Sequence, residues 1–280
     1  MPEVTVHLVE DPRVVKRHAA GWLARHAVEA NVPATLLVRD LRRADAGEAS
    51  TSSWALAVAG GELVALGMHT PGYSAQLAGA DAEVAVRLAD AWHAAGRELT
   101  GVAGAGDAAA AFARRWEVLT GARVGLGMRE GLHVLDVLVP ATGVPGAGRL
   151  AGPADVDLVV RWLEDFGAEA LPHLPPLDPA VVRARVEHGS FVLWEDGRPV
   201  SLAGFRTAGG VGRVGPVWTP PEHRRRGYAA AVTTAATRAI LDAGALPVLY
   251  TDLANPTSNG VYRRLGYRMV AETAEWVFAA

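Results

Sequence analysis

The stretch Trp218-Thr219-Pro220-Pro221-Glu222-His223-Arg224-Arg225-Arg226-Gly227-Tyr228-Ala229 connects a predicted strand to a predicted helix. Upstream, valines at 211, 214 and 217 indicate the strand, and apolar residues recur at helical spacing over 228–241. The first N–H groups of a helix have no partner within the helix and carry partial positive charge, so they bind anions. Gly227 and Ala229 leave room beside the backbone, and three arginines add charge. The stretch predicts a phosphate-binding turn.

A second segment with functional chemistry follows this helix. Residues 246–251 are apolar enough for a short strand, and a helix is expected over 260–265, before Gly266-Tyr267. Each motif alone also has an ordinary structural interpretation: the arginine run as a solvated helix start or RNA-facing patch, Asn255 as a helix cap, and Tyr262 as a core aromatic. The two motifs together, in this order, favour a ligand site.

The spacing Arg224-x-x-Gly227-x-Ala229 resembles the acyl-CoA signature of the GCN5-related N-acetyltransferases, Gln or Arg-x-x-Gly-x-Gly or Ala. The pattern Asn255-x-x-Ser258-x-x-x-Tyr262-x-x-x-Gly266-Tyr267 is similar to the fifth strand and fourth helix of that family. Ala229 stands where glycine is more frequent in the family. The detailed resemblance covers about residues 150–276.

The resemblance implies an α/β fold in which a mixed sheet, flanked by helices, is splayed between its fourth and fifth strands. It implies acetyl-CoA as co-substrate, with the main chain of Val217, Trp218 and Thr219 binding pantetheine. The turn expected to bind the pyrophosphate comprises Arg224, Arg225, Arg226, Gly227, Tyr228, Ala229 and Ala230. Asn255 and Ser258 are expected near the pantetheine arm, and Tyr262 is expected to protonate the departing thiolate.

The general base is not assigned by the sequence. Carboxylates at Glu164, Asp165, Glu222 and Asp252 and the imidazole of His173 are candidates, each with an ordinary structural alternative as a surface, turn or loop residue. A water relay would leave no such residue to identify.

Composition excludes several classes of function. The 280 residues include no cysteine, which rules out disulfides, thiolate metal sites and a cysteine nucleophile. Nine histidines show no pairing at metal-ligand spacing, so no metal is expected. The net charge of −3 gives no global attraction to nucleic acid or anionic membranes. Neither a signal peptide nor a membrane span is visible, and the default expectation is a cytoplasmic protein.

The two halves of the chain look like a degenerate duplication. Residues 53–67 match 190–204 at one constant offset as a hairpin, and Arg114-Arg115 before Gly121 parallels Arg263-Arg264 before Gly266. Between these anchors the first half is 12 residues shorter, about the size of the phosphate turn. Residues 14–30 are interpreted as one helix, and Gly101-x-x-Gly104-x-Gly106 is interpreted as a plain turn. We expect two tandem domains, 1–140 without the phosphate turn and 154–280 with it, joined by a linker over 141–153.

The leading functional hypothesis is an N-acetyltransferase in which an amine attacks acetyl-CoA directly in a ternary complex. The acceptor would be a small molecule or peptide amine, with one cofactor per chain, and the protein a monomer or homodimer. Two alternatives stay open: a non-catalytic acyl-CoA binder with a regulatory role, and an RNA-dependent aminoacyl transferase. The RNA-dependent alternative would need a broad basic face to bind RNA, which a chain of net charge −3 with one lysine does not offer.

Overall fold

The computed structural model describes residues 3–172 and 175–279, which form two compact units. The first unit contains the chain up to Leu132, Asp252–Ala254 and the stretch from Val270 onward; the second contains His133–Thr251 and Asn255–Met269. The units therefore differ in their bounds from the expected domains, since the end of the C-terminal strand lies in the first unit.

The elements run along the chain as follows: β1 (Val4–Val9), α1 (Pro12–Arg25), α2 (Asn31–Asp45), β2 (Ser53–Ala59), β3 (Glu62–His69), β4 (Ala75–Ala78), α3 (Ala82–Ala94), β5 (Gly101–Ala105), α4 (Gly106–Thr120), β6 (Arg123–Leu135), β7 (Ala147–Leu150), α5 (Val156–Ala170), α6 (Pro179–Glu187), β8 (Phe191–Glu195), β9 (Pro199–Ala208), β10 (Val211–Trp218), α7 (Tyr228–Asp242), β11 (Leu246–Asp252), α8 (Pro256–Arg264) and β12 (Tyr267–Ala279). The order from β1 to β6 is repeated from β7 to β12. This repeat confirms the predicted tandem architecture.

The first unit is a mixed sheet with helices on both faces. Its strands lie in the order β1-β2-β3-β4-β5-β12-β6, and β4 is parallel to β5. Successive side chains of a strand point to opposite faces. On β2, Trp54 and Leu56 pack with α1 and α2, whereas Ala55 and Ala57 pack with α3 and α4.

The second unit is built in the same way. Its strands lie in the order β11-β10-β9-β8-β7, with β10 parallel to β11 and the other pairs antiparallel. Leu202 of β9 packs with α5 and α6, and the next residue, Ala203, packs with α7. The mixed sheet flanked by helices is the predicted fold class.

The connection from strand to helix is the main difference between the repeats. Three residues join β4 to α3, whereas nine join β10 to α7. Asp81 caps α3, accepting a hydrogen bond from the Val84 N–H at 2.9 Å. The first repeat therefore lacks the basic turn, and its own carboxylate occupies the helix N-terminus where an anion would bind.

Several expectations about elements were wrong. The single helix expected over 14–30 ends at Arg25, and a second helix follows, with Pro33 in its first turn, where a missing N–H is tolerated. The supposed turn at 101–106 is strand β5 and the start of α4. A Cβ on Gly101 would collide with the Ser74 hydroxyl and the Trp276 carbonyl oxygen, so glycine here lets neighbouring strands approach.

Residues 141–153, expected as a linker, include a strand. β7 pairs antiparallel with β8, from Ala147 opposite Glu195 to Leu150 opposite Val192. All four of its residues are exposed. Separately, no helix in the described part of the chain is long and apolar enough to cross a membrane.

Candidate functional site

The parallel strands β10 and β11 pair over only part of their length. Their register runs from Val211 opposite Leu246 to Val214 opposite Leu249, while both strands continue beyond it. A bulge in β10 between Val214 and Val217 accompanies the separation. Backbone groups beyond this point lose a strand partner on that edge and become available to a ligand. The expected splay between the fourth and fifth strands of this half is confirmed.

The end of β10 is fixed on its other edge. Val217 and Trp218 pair with β9. The Trp218 carbonyl accepts a hydrogen bond from Ser201 Oγ at 3.0 Å, and the Ser201 hydroxyl lies 2.8 Å from Thr219 Oγ1. The predicted pantetheine segment is therefore held by β9 and open toward β11.

Arg224 folds back onto the strand. Its Nε donates to the Thr219 carbonyl at 2.9 Å, and its guanidinium carbon lies 4.8 Å from the centroid of the Trp218 ring. Its Nη2 lies 2.8 Å from Glu169 at the end of α5. Both partners are exposed, so this ion pair contributes only about 0–1 kcal/mol. Arg224 positions the turn against α5, and its charge is shared with Glu169.

Arg225 and Arg226 have different surroundings. Arg225 is exposed, forms no ion pair with a described residue, and has a φ of +63°, which is uncommon outside glycine. Arg226 lies beside Tyr228, whose hydroxyl donates to Asp196 Oδ2 at 2.5 Å. This hydrogen bond raises the pKa of the Tyr228 phenol, burial adds to the rise, and Arg226 opposes it. Arg225 is the arginine of the turn whose charge is available.

Helix α7 begins without a cap from any described side chain. Its N-cap is Gly227, with a φ of +84°, and a Cβ there would lie 2.8 Å from Val144 Cγ2. Glycine is therefore required by the backbone conformation and by its neighbour. The first-turn N–H groups, those of Tyr228, Ala229 and Ala230, are left for an external acceptor. With Arg225 next to them at the start of a 15-residue helix, these groups have the arrangement that suits an anion.

Asn255 and Ser258 form the N-terminus of α8. Asn255 is the N-cap, and its Oδ1 accepts a hydrogen bond from the Ser258 N–H at 3.1 Å. The helix begins at Pro256, four residues before the predicted start at 260, because this cap and the proline favour an earlier start. The structure thus gives Asn255 a capping role toward the Ser258 N–H, and the contact of both residues with pantetheine stays a prediction.

Tyr262 lies on α8, partly buried against the core that α7 covers. Val217 of β10 and Ala230 of α7 pack against the same core, which brings these three predicted site residues to one region. The Tyr262 ring lies 6.3 Å from that of Tyr267. Burial raises the pKa of Tyr262 to about 12, and its hydroxyl makes no hydrogen bond to a described residue. A neutral phenol with an unused hydroxyl is suited to donate a proton.

The structure does not single out a general base. Glu164, Asp165 and Glu222 are exposed, and Asp252 accepts a hydrogen bond from the Ala254 N–H at 2.8 Å. His173 lies outside the described residues. Over residues 3–172 and 175–279, no three histidine, aspartate or glutamate side chains form a candidate metal site.

A hollow of about 440 Å³ lies beside the turn in the second unit. It is lined by Asp165, Ala168, Glu169, Trp218 and Pro221. Since Glu169 pairs with Arg224, Asp165 is the carboxylate left to face a cationic group. The hollow is large enough for a small amine.

The sequence did not predict a role at the turn for three residues that contact it: Val144, Glu169 and Asp196. Each acts on the turn from a distant position in the chain and belongs to no local motif. Asp196-Gly197 does mark a hairpin turn, which could have located Asp196 on a loop but not its partner Tyr228.

Comparison with known proteins supports the fold assignment. Residues 193–277 match the family model described as FR47-like protein, which covers the chain from β8 into β12. A search of curated protein sequences finds no match.

Solved structures similar to the chain include three of comparable length. A GNAT-family acetyltransferase from Colwellia psychrerythraea has a TM-score of 0.58 at 11% identity, covering 99% of this chain and 100% of its own. A GCN5-related N-acetyltransferase from Sphaerobacter thermophilus has a TM-score of 0.62 at 16% identity, covering 98% and 94%. A tandem GNAT protein from the clavulanic acid biosynthesis pathway has a TM-score of 0.56 at 14% identity, covering 99% of both chains. These likenesses show that the chain has the tandem fold of GCN5-related N-acetyltransferases, and the FR47-like match lies within its second repeat.

Proposed function

We propose that the second unit binds acetyl-CoA and transfers its acetyl group to an amine. The observation that carries the proposal is the separation of β10 from β11 after Val214 and Leu249, followed by an uncapped helix start at α7. The first feature leaves main-chain groups for the amides of pantetheine, and the second leaves N–H groups for a pyrophosphate.

The residues present fit this co-substrate. Pyrophosphate would lie on the N–H groups of residues 228–230, with Arg225 supplying charge. Pantetheine would pair with the edge of β10 that faces β11, near Val217. The corresponding helix of the first repeat is capped by Asp81, which supports one co-substrate per chain.

Acetyl-CoA, when bound, supplies an acyl group activated as a thioester. The chain's own contribution is to orient the bound molecules and to deliver a proton. Tyr262 is protonated at neutral pH because its pKa is raised to about 12, so its hydroxyl would donate a proton to the leaving sulfur. Asp165, facing the hollow beside Trp218, would attract a protonated amine. With no base assigned, loss of the amine proton to water is the simplest route.

The test is a thiol-release assay with acetyl-CoA and a library of amines. We expect turnover with at least one amine, and its loss when Arg225→Glu and Arg226→Glu are combined. Arg238→Glu is the control, since Arg238 is exposed farther along α7 and the substitution makes the same charge reversal as each single change of the double variant, but away from the turn. Acetyl-CoA binding without acyl transfer to any amine would instead favour the non-catalytic binder.

A further inference from the structure

Arg185 of α6 is partly buried, and its guanidinium has no anionic partner among the described residues. None of the described residues forms a hydrogen bond or ion pair with it, and its Nε is buried and unpaired. The guanidinium instead lies over an aromatic face: its carbon is 4.2 Å from the centroid of the Phe191 ring. A cation–π contact offsets only part of the cost of removing a charge from water.

Two further arginines lie near Arg185. Arg206 of β9 is directly opposite Arg213 of β10. Their neighbours Phe205 and Val214 pack on the α7 side, so both arginines point to the face that α5 and α6 cover. Burial lowers the pKa of Arg185, and the charges of Arg206 and Arg213 lower it further. Arginine keeps its proton in proteins, so Arg185 does not lose its charge to relieve the cost of burial and of repulsion by the two neighbouring arginines.

The position of Arg185 connects this charge to the proposed active site. A Cβ on Gly204 would lie 3.2 Å from Arg185 Nη2 and 2.9 Å from the Gly215 carbonyl oxygen. The guanidinium therefore lies close to Gly215, within the bulge where β10 leaves β11. Trp218, which lines the hollow beside Asp165, belongs to the same face of the sheet.

We propose that the acceptor amine carries an anionic group, a carboxylate or a phosphate, which binds Arg185 in the field of Arg206 and Arg213. This inference rests on the proposed acyl transfer, because it identifies the class of acceptor. Such an anion would compensate the buried charge and satisfy the unpaired Nε–H. Arg206 and Arg213 have contacts of their own, so the specific recognition is assigned to Arg185.

The first test measures anion binding without turnover. Acetate and inorganic phosphate are titrated against the full chain carrying Arg225→Glu and Arg226→Glu, which removes the turn as a phosphate site, while the melting temperature is followed. We expect at least one anion to raise the melting temperature, and Arg185→Met to abolish that rise. Arg183→Met, an exposed arginine on the same helix, is the matched control and should keep it.

The ligand-free proteins give a second readout. Removing an uncompensated buried charge should leave the melting temperature of Arg185→Met equal to or above that of Arg183→Met. A lower melting temperature for Arg185→Met, or an unchanged response to both anions, would overturn the proposal by showing a purely structural arginine.

The second test compares matched amines with and without a carboxylate, such as phenylalanine with phenethylamine and lysine with cadaverine. The carboxylated member should be the better acceptor by tenfold or more in kcat/KM, and Arg185→Met should raise its KM while leaving the KM for acetyl-CoA unchanged. Preference for the amine without a carboxylate would contradict the inference. If no amine is acetylated, the anion titration still decides whether Arg185 binds an anion, so failure of the proposed function is distinguishable from failure of this inference.

Discussion

Gly227 is the position where the geometry of the turn can be tested most quantitatively. With a φ of +84°, alanine there would cost roughly 1 kcal/mol in backbone strain. Its Cβ would also lie 2.8 Å from Val144 Cγ2, and because valine is stiff at χ1, this overpacking should add roughly 1–3 kcal/mol. We therefore expect Gly227→Ala to lower the free energy of unfolding by about 2–4 kcal/mol, measured by urea denaturation.

Two variants separate the strain from the collision. Gly244, after the other end of α7, has a φ of +71° and open space around its Cβ position, so Gly244→Ala should cost only about 1 kcal/mol. In a Val144→Ala background, the loss of unfolding free energy caused by Gly227→Ala should drop to the same value. The double-mutant cycle should therefore give a coupling energy of about 1–3 kcal/mol. Equal costs for Gly227→Ala and Gly244→Ala in the wild-type background would show that Val144 does not confine the turn.

The remaining predictions concern individual contacts. Tyr262→Phe should lower kcat with an accepted amine by tenfold or more while leaving acetyl-CoA affinity unchanged; full turnover would remove Tyr262 as the proton donor. Because its pKa is raised to about 12, wild-type activity should show no loss from Tyr262 ionisation until pH rises toward that value, as a pH–rate profile would show. Tyr228→Phe, which leaves Asp196 without its phenol, should lower the melting temperature. The stability that Tyr228 confers should be present below pH about 10 and decline as pH rises through its raised folded pKa; pH-independent stability differences between the two proteins up to pH 11 would contradict this. Arg224→Gln and Glu169→Gln should show a coupling below about 1 kcal/mol in a double-mutant cycle, as expected for an exposed ion pair; a larger value would mean the pair is shielded from water.

The phosphate turn and the strand before it could be predicted because their information is local. Arg224, Gly227 and Ala229 lie within six residues, and the periodicity changes from strand to helix across them. The duplication was visible for a similar reason, since its hairpins keep their spacing. The three-residue connection before α3, against nine before α7, accounts for six of the twelve residues by which the first half was inferred to be shorter.

The elements that were missed lack such local signals. α2 contains Pro33 and several arginines, and β7 is a four-residue exposed strand defined by its pairing with β8. Tertiary pairing determines such an edge strand more than its own composition does.

Side-chain roles at the site were also beyond the sequence. Arg224 was expected to hold phosphate, yet its side chain reaches Glu169, 55 positions earlier in the chain. Val144 approaches Gly227 from the segment expected to be a linker. The unpaired charge of Arg185 is evident only once α6 is placed over β9, because spacing in the sequence does not report burial.

One acetyl-CoA is proposed to bind per chain, on the turn before α7. Isothermal titration calorimetry of acetyl-CoA with the full chain measures both the number of sites and the affinity. The same titration is made with the Arg225→Glu and Arg226→Glu double variant and with the Arg238→Glu control. We predict one site per chain, with an affinity for acetyl-CoA at least tenfold lower in the double variant and unchanged in the control. Two sites per chain, no binding, or equal affinity in the double variant would contradict this prediction.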